Sequence, residues 1–96
     1  MDKQWEQLIK VMLRLELICL FIPQEFDYVK SRFESVRQSL LFSPPENGQI
    51  FIEKAIGIFD EVLTNDETKE EPWVPTILTI WTNKLYTTNP ELDQGS

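Results

Sequence analysis

Residues 11–22 read VMLRLELICLFI. Ten of these twelve are apolar, and only Arg14 and Glu16 interrupt them. A helix that is apolar on nearly every side has to be surrounded, either by its own domain or by another chain. The reading of everything else in this sequence depends on what covers that segment.

Working outward, Trp5, Leu8, Met12, Leu15 and Cys19 recur at three and four residues and predict one continuous stripe on a helix over 3–21. Ile9, Leu13, Leu17 and Leu20 widen the stripe, while Lys3, Gln4, Glu6, Gln7 and Lys10 keep the first half amphipathic. Asp2 is placed to cap the first turn, because its carboxylate can accept from amides that lack helical partners. Ile22-Pro23 ends the helix, since proline lacks an amide donor and pushes the residue before it out of helical geometry. Pro23 also suits the first position of a second helix, over 24–41, where Glu25 and Asp27 lie at the positive end of the dipole.

That second helix has the cleanest pattern. Phe26, Val29, Phe33, Val36 and Leu40 step by three, four, three and four, the spacing of a seam packed at a shallow angle. Lys30, Arg32 and Arg37 read as one modest basic cluster, either an ordinary solvated face or a steering rim for an acidic partner. Ser43-Pro44-Pro45-Glu46 has the composition of a capping box and predicts the start of a third helix reaching residue 64. Asn47-Gly48 weakens its first turn, so the regular helix is expected from about Gln49. Two stripes follow, Phe51-Ala55-Ile58-Val62 and Ile52-Ile56-Phe59-Leu63. Together they cover more than half the circumference, so this helix too needs cover on two sides.

Residues 65–71, NDETKEE, read as a charged, solvated connector. With Asp60 and Glu61 they form an acidic patch of Asp60, Glu61, Asp66, Glu67, Glu70 and Glu71. The spacing does not match the Asp-x-Asp-x-Asp-Gly core of a calcium loop, so no metal is expected here. Pro72 and Pro75 fit only a first turn and open a fourth helix to about residue 86. Val74, Ile77, Leu78, Trp81 and Leu85 are its expected buried stripe. Trp73, at the helix entrance beside carboxylates, is either an exposed interface anchor or the lid of the bundle. Residues 87–96 have little to bury and read as a tail.

Every strong periodicity is helical. The expected class is all-α, with residues 1–86 as one domain: a four-helix bundle or small helical array, its core possibly shared with a second copy.

The 96-residue chain carries a net charge of −7. Residues 1–43 hold six basic and six acidic side chains, whereas residues 44–96 hold three basic and ten acidic. The whole excess therefore lies in the second half. Such a balance disfavours direct contact with nucleic acid or an anionic membrane, and it suits a basic protein partner. The longest apolar run falls short of the ~20 residues a membrane span needs. A single cysteine implies no internal disulfide, no secretory leader is expected, and a cytoplasmic setting follows.

Chemistry finds few tools here. The chain has no histidine, which removes the commonest general base and nitrogen ligand. Cys19 lies in an apolar run that raises its pKa, and the three glycines form no phosphate-binding loop. The expectation is a non-catalytic protein–protein interaction module without cofactor: a small subunit, adaptor or regulator, binding another protein or a second copy of itself. Trp5, Phe21 and Trp73 are the candidate apolar anchors, and Lys30, Arg32 and Arg37 the candidate rim. The alternative is an acidic inhibitor that imitates nucleic acid in the basic groove of a processing enzyme.

Overall fold

A computed structural model describes residues 3–82. Four α-helices follow in order: α1, Lys3–Phe21; α2, Asp27–Leu41; α3, Gly48–Thr64; and α4, Trp73–Trp81. Short 3-10 turns, Gln24–Phe26 and Pro45–Asn47, lead into α2 and α3. No strand occurs among the described residues. The fold is a small all-α array. Asp2, Asn83, Leu85, Tyr86 and the tail at 87–96 lie outside the described residues.

The prolines place the breaks. Pro23 is extended (φ −65°, ψ 159°), and the Phe26 amide donates to its carbonyl at 2.9 Å to close the following turn. The α-helix proper begins at Asp27, three residues after the expected 24. The expected capping box at Ser43 does not form. Pro44 precedes another proline, which clashes with helical geometry at the residue before it, and Pro44 is extended (φ −67°, ψ 152°). The Ser43 hydroxyl turns back instead and donates to the Ser39 carbonyl at 2.7 Å, satisfying an acceptor at the end of α2.

α1 is the hub. It packs against α2 and α4, α2 packs against α3, and α1 touches α3 only slightly. That slight contact is close: a Cβ added to Gly48 would lie 2.2 Å from Leu8 Cδ2. The glycine is therefore more than a weak helix start. It lets α3 begin one residue earlier than expected, directly against α1. α3 and α4 meet where the rings of Phe59 and Trp81 stand 5.7 Å apart.

Burial follows spacing in α2, where Val29, Phe33, Val36 and Leu40 are all buried. In α1 it does not follow the expected stripe. The buried set is Leu8, Val11, Leu15, Ile18 and Cys19, while Trp5 is exposed and Met12 is only partly covered. Contact with α2 and α4 together rotates the covered face towards Val11 and Ile18. α4 differs likewise: Ile80 is buried beside Val74 and Ile77, and Leu78 is exposed.

The segment at 65–72 is more than a solvated connector. Thr68 is fully buried, and its hydroxyl donates to the Val62 carbonyl at 2.7 Å, satisfying an acceptor in the last turn of α3. The Asn65 side chain accepts from the Glu67 amide at 2.7 Å, and the Asn65 carbonyl accepts from the Lys69 amide at 2.8 Å. These bonds wind the acidic stretch into a tight turn around one buried threonine.

Candidate protein-interaction surface

At 100° per residue, Trp5, Ile9, Leu13 and Leu20 fall in one sector of α1, next to the buried sector and outside it. All four are exposed, Trp5 at 52% and Leu20 at 74%. Leu17, partly covered, borders this sector, and Phe21, exposed at the helix end, lies about 160° round from Trp5. The result is a mostly apolar ridge on α1 from Trp5 to Leu20, with exposed Glu16 inside its sector.

α2 adds to this surface. The Cys19 thiol is pushed up to about 11, chiefly by burial, and it also feels the charges of Glu34, Arg37, Lys30 and Glu16. The Lys30–Glu34–Arg37 flank of α2 thus runs beside α1 at the border of the ridge. Leu41 continues that flank by one turn, and Phe42 after it is 86% exposed. With its ionised form opposed by burial, Cys19 stays a neutral thiol at ordinary pH and is a poor nucleophile.

The structure separates the residues picked from sequence. Phe21, exposed at the end of α1, falls outside the sector of the ridge, and Trp5 lies on it. Trp73 does not: it is only 9% exposed, with its ring 5.1 Å from that of Phe26, so it closes the end of the array. The basic cluster divides as well. Lys30 and Arg37 flank α1, with Arg37 3.6 Å from Glu34, whereas Arg32 lies about 200° round the helix from Lys30 and pairs with Glu61 of α3.

The acidic patch is spread over the end of α3 and the turn after it, and half of it is engaged locally. Glu61 pairs with Arg32, Asp66 with Lys69 at 3.0 Å, and Glu67 accepts from the Tyr28 hydroxyl at 3.1 Å. That hydrogen bond joins desolvation in raising the pKa of Tyr28. No group of three or more acidic or cysteine side chains able to hold a metal ion occurs among the described residues. Nor is any described helix long and apolar enough to cross a membrane.

Sequence reasoning picked Trp5 on the ridge and Phe21 outside it, and missed Leu20, Leu41 and Phe42. The steps of four from Trp5 to Ile9 to Leu13 were the available signal. They were absorbed into a stripe assumed to be core, because exposure cannot be read from apolar identity alone. Comparison with protein-family models, curated proteins and solved structures finds no match for this chain.

Proposed function

We propose that this chain is a non-catalytic protein–protein interaction module working in the cytoplasm, where its single thiol stays reduced. The observation that carries this reading is the α1 ridge. Several large apolar side chains exposed on one helix face, as Trp5, Ile9, Leu13 and Leu20 are, mark sites of association. Trp5, at one end of it, is of the kind that anchors interfaces. The acidic-inhibitor reading draws less support, because Glu61, Asp66 and Glu67 are already engaged within the chain.

A photo-crosslinking residue in place of Leu20 tests the proposal in the cell that makes the protein. The expected result is a discrete protein adduct from position 20 and none from Ser35, an exposed position on α2 away from α1. Equal labelling at both positions, or none at either, would refute an interface on α1.

A further inference from the structure

We infer that the apolar flank of α3 beside the end of α4, formed by Ile52 and Ile56, is covered by residues 83–96 of this same chain, with Leu85 seated on Ile56. The direction of α4, the open length of α3 and the residues that follow Thr82 together point to that cover.

α4 starts with Trp73 against Phe26, at the end of the array where Tyr28 bonds to Glu67 just beyond α3. It finishes with Trp81 against Phe59, inside α3. α4 therefore runs back along α3. At 1.5 Å per residue its nine residues span ~13 Å, whereas the 17 residues of α3 span ~25 Å. Since α4 stops at Phe59, the stretch of α3 from Gly48 to Ile56 has none of α4 beside it. Ile52 and Ile56 lie in that stretch. Rotation at 100° per residue puts them about 20° and 60° round α3 from Phe59, on the side away from Glu61 and its α2 partner Arg32. Ile52 is partly covered and Ile56 is 41% exposed. They continue the apolar face on which Trp81 rests, past the point where α4 ends.

The sequence after Thr82 fits this face. Leu78, Trp81 and Leu85 step by three and four, and Leu63, Phe59, Ile56 and Ile52 step by four, three and four back along α3. Such spacings mesh when two helices pack side by side in opposite directions. Trp81 on Phe59 fixes the register, so one more turn of α4, about 6 Å, carries Leu85 to Ile56. Leu85 falls about 40° round α4 from Trp81, towards exposed Leu78, so both members of the new contact sit on the outer side of the one before it. No linker separates the segment from its seat. A segment tethered this closely acts at an effective concentration on the order of millimolar, which a second copy or an unrelated protein has to exceed. Ile56 is thereby withdrawn from the surfaces open to partners, while the ridge on α1 stays open.

The full chain carrying Ile56→Cys and Leu85→Cys tests the seat at low micromolar concentration. Mild oxidation should close a disulfide within one chain, at a yield at least tenfold above that of the pair Ile50→Cys and Leu85→Cys, because exposed Ile50 lies about 120° round α3 from Ile56. The parent thiol, Cys19, is buried and stays out of the reaction. Equal yields from the two pairs, closure in neither, or cross-linking between chains would overturn the proposal. Thermal unfolding gives an independent reading. Ile56→Ala and Leu85→Ala should each lower Tm by about 4–8 °C, and the double variant by little more than either one. Losses that add in the double variant mean that the two side chains do not meet, and the proposal fails.

Discussion

α1 and α2 lie side by side and differ in how pattern relates to burial. α2 is amphipathic: its apolar residues at three-four spacing are the ones the fold covers, and Phe33 at its centre is 0% exposed. α1 is apolar over most of its surface, and the fold covers one sector and leaves the next in water. A narrow apolar stripe identifies its own buried face because only one orientation hides it. A wide one is compatible with several orientations, and the neighbouring helices make the choice. The surplus left over on α1 is what gives this molecule a surface to bind with.

The contrast can be broken most sharply by truncation. Phe33→Ala should lower stability by about 3–5 kcal/mol, a large part of what a chain this size has. Leu20→Ala on the ridge should lower it by less than about 1 kcal/mol. Urea unfolding at concentrations that keep the chain monomeric compares them, and equal losses would mean that the ridge is covered after all.

A change of pH probes the seam between the two helices. Folding raises the Cys19 pKa from 9.0 to about 11, so the unfolded chain ionises first. The thiol's contribution is complete below pH 9 and lost as pH rises through 11, by about 2–3 kcal/mol. Cys19→Ala should flatten that part of the stability–pH curve; an unchanged slope would place the thiol in a wetter setting than α1 and α2 provide.

The glycines of α3 sharpen the point that neighbours decide. Gly48→Ala drives a methyl into Leu8 and should destabilise by about 1–3 kcal/mol, although alanine is the better helix former. Thr68→Val keeps the shape of the buried side chain but strips the donor from the Val62 carbonyl, and a loss of about 1–2 kcal/mol in thermal unfolding is expected. Gly57, on the same helix as Gly48, has nothing within 4 Å of an added Cβ. Gly57→Ala should therefore stabilise, by about 0.5–1 kcal/mol. If the two glycine variants shift the melting temperature alike, the close approach of α1 to α3 is wrong.

Much of the architecture was legible before any coordinates. The bounds of α1 agree with its pattern, and α2 buries its expected seam. The α3 start was misread because Ser43-Pro44-Pro45-Glu46 has the composition of a cap, yet the second proline forbids helical geometry at the first. Thr68 was misread because a lone threonine among acids looks solvated, and only the return of the chain under α3 shows which carbonyl it serves. Of the candidate surface, the sequence showed Trp5; Phe21, picked with it, stands outside the sector of the ridge. It joined Arg32 to Lys30 and Arg37, which helical rotation puts on opposite sides of α2, and it left open whether Trp73 was an anchor or a lid.

Local chemistry determined by itself that this chain is helical, that it breaks at Pro23 and Pro44 and restarts at Pro72, and that its negative charge lies in the second half. Those properties depend on side-chain spacing, ring geometry and counting, which need no partner. Tertiary structure alone decided which apolar side chains stay wet, which glycine must remain a glycine, and where Trp73 and Thr68 are hidden. Burial is a relation between two surfaces, and a sequence specifies only one of them at a time.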